Sequence, residues 1–255
     1  MKTFLLALVI LFPVVALAQE PDYSAWNTIL AKYYDPAHGM DYANLKKSDA
    51  PTLQKLRTQL GNVNVAALTP KEQLAYWINV YNVNVVATIV ENYPVDSIRD
   101  ISTDPIVRLN VFKKERVPFG KETLSLDEVE NKKIRETFHD PRIHFAINCA
   151  ARSCPPIRTE AFTGARVDAQ LDDQVRRFLS GPHGARFERD GDEVDVHVTK
   201  IVDWFGDDFE KWGGGKAAFL RRFVTPDKQR AIDAAKGNFD FEYDDYDWAL
   251  NDWKR

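Results

Sequence analysis

Thr69-Pro70-Lys71-Glu72-Gln73-Leu74-Ala75-Tyr76-Trp77-Ile78-Asn79-Val80-Tyr81-Asn82-Val83-Asn84-Val85-Val86 decides the fold. Thr69 offers a capping hydroxyl, Pro70 suits the first helical position and Glu72 places acid in the first turn, so a helix starts here and runs to about Asn92, stopped before Pro94. From residue 75 to 86 this helix is apolar almost all round, which predicts that protein encloses it on every side. Within it Asn79 and Asn82 stand three apart and share a face. A buried amide left unpaired costs on the order of 1–3 kcal/mol. Each therefore needs a polar partner, either neighbouring backbone, where most buried side-chain polar groups find theirs, or a ligand in a pocket.

Outward from this helix the chain reads as alternating helices and short strands. Trp26, Ile29, Leu30 and Tyr33 have helical spacing, residues 50–60 form a second helix, and residues 126–137 form a charged one entered from Ser125 or Asp127. Residues 107–112 and 116–119 read as extended pieces around a Lys113-Lys114-Glu115 turn. Residues 143–148, apolar except for His144 and Asn148, read as a buried strand. Residues 168–179, 209–223 and 226–235 read as helices, residues 187–198 as a hairpin about Asp190-Gly191-Asp192, and residues 239–253 as an acidic aromatic tail. No repeat or linker parts the chain, so the expected fold is α+β: one helix-rich domain over residues 19–255 around a small, mainly antiparallel sheet, with residues 19–70 as an N-terminal helical part.

Composition narrows the function classes. The 255 residues are 44% hydrophobic and 28% charged, which excludes disordered, collagenous and disulfide-dense chains. The net charge of −4 supplies no positive field for nucleic acid. Residues 4–15 are an apolar run behind Lys2, and Ala16-Leu17-Ala18 precedes Gln19, the order of a secretory signal peptide. The run is shorter than the ~20 residues a bilayer span needs, and Pro13 breaks it. Cleavage after Ala18 is expected to leave a periplasmic or secreted chain of 255 − 18 = 237 residues, without an integral membrane segment. Its expected partner is an unidentified small molecule or an envelope protein.

Chemistry concentrates in Asp140-Pro141-Arg142-Ile143-His144-Phe145-Ala146-Ile147-Asn148-Cys149-Ala150-Ala151-Arg152-Ser153-Cys154-Pro155-Pro156. This stretch, Tyr76-Trp77-Ile78-Asn79-Val80-Tyr81-Asn82 and the closing Tyr246-Asp247-Trp248-Ala249-Leu250-Asn251 resemble the family catalogued as domain of unknown function 547. The resemblance runs from the third helix to the C-terminus and implies no activity, because none is attached to the family.

The residues themselves leave several readings open. Cys149 and Cys154 can form a structural disulfide in an exported protein, a reactive thiol beside Arg152, or inert buried thiols. Arg142, Asn148 and Arg152 are candidate binding residues with Asn79 and Asn82; an internal salt bridge is the usual fate of such arginines. If residues 144–149 are extended, His144 and Cys149 lie about 16 Å apart on opposite faces, too far for a dyad. His144 is then expected within reach of Asn79 or Asn82, and His183 or His197 could approach a cysteine only through tertiary folding. Papain-like and transglutaminase-like enzymes carry their nucleophile on a helix, but no cysteine lies on the helix of Asn79. His139, His144, Cys149 and Cys154 recur every five residues, near the upper spacing of zinc ligands, yet the same extension separates them. No metal site and no cofactor is expected. Two function classes follow: a thiol- or histidine-dependent hydrolase or acyl transferase using His144, Cys149 and Cys154, or a non-catalytic binding module with a disulfide between Cys149 and Cys154.

Overall fold

The computed structural model describes residues 20–101, 110–190 and 193–253, so the signal-peptide reading and its cleavage site lie outside the described residues. The Thr69 cap forms as the sequence requires. Its hydroxyl accepts from the Glu72 N–H, the Glu72 carboxylate accepts from the Thr69 N–H, and the third helix runs Pro70–Asn92 with residues 74–90 buried. Before it come α1 (Ser24–Tyr33), a two-residue pair β1 (Tyr34–Asp35) and β2 (Gly39–Met40), and α2 (Tyr42–Gly61); Pro70–Asn92 is α3. The second helix starts eight residues before the expected 50, because Asp41 caps it and the chain merely kinks at Asp49 ahead of Pro51.

After α3 the hairpin is β3 (Glu115–Phe119) with β4 (Glu122–Ser125), turning at Gly120, where φ is +60°. The 113–115 turn of the sequence reading is replaced by a 3-10 turn at Val111–Lys113, and residues 107–109 lie outside the described residues. The charged helix is broken into α4 (Leu126–Glu128), a π-helical stretch Val129–Arg135 and α5 (Glu136–Phe138). Then come α6 (Val167–Ser180), β5 (Arg186–Asp190), β6 (Glu193–Thr199), α7 (Lys200–Trp204), α8 (Gly206–Lys211), α9 (Gly215–Phe223), α10 (Pro226–Ala235) and β7 (Phe239–Asp244). The expected helix over 209–223 is two helices, since Gly213 and Gly214 between them, and Gly215 at the start of the second, take positive φ.

The architecture is α+β, helix-rich with small sheets. The largest sheet has three strands, β5 antiparallel to β6 and β6 parallel to β7. Two apolar cores form, one around α1, α2 and α3, the other between α6, β6, α8, α9 and α10. Ile143 and Ala146 belong to the first core and Phe145 to the second, so the residues around His144 are the wall between them. Among the described residues no helix is long and apolar enough to cross a membrane.

Candidate functional site

The expected strand at 143–148 does not form. Asp140 accepts a hydrogen bond from the Arg142 N–H, Pro141 occupies the first helical position, and Pro141–Phe145 is a 3-10 helix. The Asp-Pro pair is a helix-start signal; the apolar run misled because a segment shared by two cores is apolar on every side whatever its conformation. The ~16 Å separation argued from extension therefore falls, and His144 and Cys149 line one cavity of about 340 Å³.

His144 is 2% exposed. Its Nε2 lies 2.8 Å from Asp208 Oδ2, and its ring stacks on Phe205 with centroids 3.9 Å apart. Asp208 is also held by Arg135, through Nε at 2.8 Å and Nη2 at 3.1 Å. The expected bond from His144 to Asn79 or Asn82 is thus replaced by a pair with an acid on α8. The hydrogen bond from His144, with Arg135 beside it, holds the Asp208 carboxyl well below the usual carboxylate range, and burial lowers His144 against the pull of Asp208. A neutral His144 donating from Nε2 leaves Nδ1 as a buried acceptor without a partner.

Glu130 enters the same cavity from the π-helical stretch, where the extra residue per turn displaces side chains from the α-helical register. It accepts a hydrogen bond from Tyr81 at 3.3 Å. Burial pushes its carboxyl up to about 7, although the charge of Arg135 and the Tyr81 hydroxyl work in the other direction.

Cys149 sits in a loop fixed from two sides. On the α3 side, Asn82 donates to Ala146 O at 2.9 Å and accepts from Asn148 N–H at 2.8 Å; Asn79 does the same for Phe162 O and N–H, at 2.8 and 3.0 Å. These amides take the backbone reading, each replacing a peptide group as partner. Asn148 then spans its own loop, donating to Pro155 O and accepting from Ala150 N–H, both at 2.8 Å. On the other side the tail docks: Arg152 N–H donates to Ala249 O, Ser153 N–H to Asp247 O and Asn251 N–H to Ala150 O. The left-handed Ala150, at φ 61°, turns the chain between the cysteines.

This loop gathers donors on one sulfur. The Cys149 thiol is lowered, chiefly by a hydrogen bond from the Cys154 thiol and further by the Tyr246 hydroxyl at 3.2 Å and the Ala151 N–H, against the opposing effect of burial. Cys154 is pushed well up by burial and by its charged neighbour. Both are free cysteines, Cys149 part-exposed and Cys154 buried, so the structural disulfide of the binding-module reading is not present in this structure.

Other candidates are placed elsewhere. Arg142 is bound by Asp140, Asp168 and Asp172 at 2.6 to 3.0 Å, the internal salt bridge that leaves nothing for a ligand. Arg152 points away from the cavity, lining a larger groove of about 730 Å³ with His183. His197 pairs with Glu242 on the three-stranded sheet. Among the described residues no group of three or more His, Cys, Asp or Glu is placed to hold a metal ion. Glu130, Arg135 and Asp208 carried no sequence signal, being single charges in helices rich in charge. Tyr246 did carry one, as the first residue of the closing stretch quoted above.

Residues 65–179 match the model of the family described as "Protein of unknown function, DUF547". The match holds Asn79, Asn82, Glu130, Arg135, His144 and both cysteines, and it supports the resemblance over that span; Asp208 and Tyr246 lie beyond it. No curated protein and no solved structure matches this chain.

Proposed function

We propose that the chain is an exported hydrolase or acyl transferase with Cys149 as its nucleophile and Glu130 as its general acid and base. The observation that supports this most is the pairing of a thiol lowered by three hydrogen-bond donors with a carboxyl raised to about 7 on the wall of the same cavity. Lowering one and raising the other narrows the gap between them, so that the thiol can pass its proton to Glu130 as Cys149 attacks. Cys149 Sγ attacks an acyl carbon, and the departing group leaves with the Glu130 proton. Water, or an acceptor hydroxyl or amine, then attacks the thioester; its proton returns to Glu130 and the thiolate is released.

His144 is a positioning residue in this scheme. Its Nδ1 is buried, so the acid–base work expected of it passes to Glu130, while its bond to Asp208 holds Arg135 and Phe205 in the cavity wall. The acyl donor is a small molecule or a chain end of an envelope component, and the mature chain begins at Gln19.

Treating the full chain with p-nitrophenyl acetate tests the reading. Acetyl on Cys149, seen by peptide mass analysis, with a p-nitrophenolate burst that Cys149→Ser lacks, is the expected result. Equal rates for the parent and Cys149→Ser would overturn it.

A further inference from the structure

The two cysteines differ in a way that acyl chemistry does not use. Both cysteines line the cavity, Cys149 the more exposed of the two and Cys154 8% exposed, with the Cys154 Sγ 3.0 Å from the Cys149 backbone nitrogen. The turn closed by Cys154 N–H to Ala151 O at 3.2 Å folds the second cysteine back onto the first, where its Sγ accepts from the Cys149 N–H. The more exposed sulfur meets an entering molecule first, and the second is held against the backbone of the first.

We propose that this pair carries out thiol–disulfide exchange with small disulfides entering the cavity, Cys149 attacking and Cys154 resolving. The Cys149 thiolate attacks a disulfide R–S–S–R, forming Cys149–S–S–R and expelling RS⁻. That step removes the negative charge from Cys149. Part of what holds the proton on Cys154 is that charge, so the Cys154 thiol loses its proton more readily once the mixed disulfide exists. The expelled RS⁻ takes this proton, Cys154 Sγ attacks Cys149 Sγ, and the second RS⁻ leaves and is protonated by water. The dithiol is oxidised to a disulfide and R–S–S–R is reduced to two R–SH, with no other reactant. A third donor, the Tyr246 hydroxyl, keeps Cys149 the better attacker at the start.

The activity does not depend on the acyl reaction proposed above. The test uses the reduced full chain and oxidised glutathione, with acid quenching and intact-mass analysis. The expected product is a chain two hydrogen atoms lighter, carrying no glutathione, with both titratable thiols gone. Cys154→Ser, shown to be folded by circular dichroism, is expected to trap one glutathione on Cys149. A parent chain that keeps glutathione on either cysteine, or whose mass is unchanged, overturns the proposal, and this result stands even if Cys154→Ser does not fold. Exchange without acetyl transfer would remove the acyl reading alone; acetyl transfer without exchange would remove this one alone.

Discussion

The amides of Asn79 and Asn82, both buried, and the half-buried side chains around Cys149 are two polar clusters separated by one loop, and they differ in how their polar groups are engaged. Each amide has its carbonyl and its NH₂ matched by one stretch of backbone. Around Cys149, Glu130 is held near its titration point and a thiol is biased toward charge. Groups engaged on both their donor and acceptor sides fix geometry, because a change of position loses both bonds. Groups with capacity to spare are the ones that can take up a substrate or a proton. The first cluster positions the loop on which the second reacts.

The sharpest break between them is at Cys149. Cys149→Ser is expected to reduce p-nitrophenyl acetate turnover ~10³-fold or more with little change in melting temperature. A serine variant that turns over like the parent would place the chemistry outside this cluster.

Glu130 comes next. Glu130→Gln keeps the hydrogen bond with Tyr81 but removes the proton exchange, which general acid–base catalysis values at roughly 10²-fold or more. Its stability signature has a definite sign. The carboxyl is raised from 4.5 to about 7 in the folded chain, so the native state holds the proton more tightly than the unfolded chain in that interval. The stability it contributes is full below about pH 4.5 and is lost as pH rises to about 7, up to roughly 3 kcal/mol. His144, lowered by burial from 6.5, has the opposite slope below about that pH, so the measurement is the difference between parent and Glu130→Gln in urea midpoints across pH. Parallel pH profiles would show that Glu130 is not protonated where the fold places it.

The amides give a smaller and different effect. Asn79→Leu strands the Phe162 N–H and C=O and is expected to cost about 1–3 kcal/mol, with the iodoacetamide reactivity of Cys149 in the folded protein unchanged. Asn82→Leu should cost a similar amount and also alter that reactivity, because Asn82 holds the residue next to Cys149. If both variants leave Cys149 reactivity alone, the loop is held by the tail and not by α3.

Sequence reading succeeded where local signals coincide with tertiary demand. The Thr69-Pro70-Glu72 start is a local device, the apolar girth of α3 reports its enclosure, and the three similar stretches converge: α3, the cysteine loop and the tail meet at Asn82, Asn148 and Asn251. It failed where conformation is decided by what lies on both sides of the chain. Residues 143–148 are apolar all round because two cores share them, and that pattern does not distinguish a strand from a 3-10 turn. Glu130 and Asp208 were beyond reach for another reason. A π-helical stretch and a pairing 64 residues apart leave no periodic trace.

The last prediction concerns Arg152, which the sequence sets beside Cys149 and the structure turns away from it. Its guanidinium is 56% exposed and 3.8 Å from Asp247 at the closest, and it lines the large groove, not the cavity. An exposed, poorly formed pair of this kind contributes at most about 0.5 kcal/mol, since water screens the charges and holding two long side chains costs entropy. The lowering of Cys149 is already supplied by Cys154, Tyr246 and Ala151. Arg152→Ala is therefore expected to leave both the melting temperature and the pH at which Cys149 becomes half-alkylated by iodoacetamide within error of the parent. A shift of that pH upward would mean that the guanidinium acts on the thiol after all, and that the line between the positioning loop and the reacting cluster runs through residue 152.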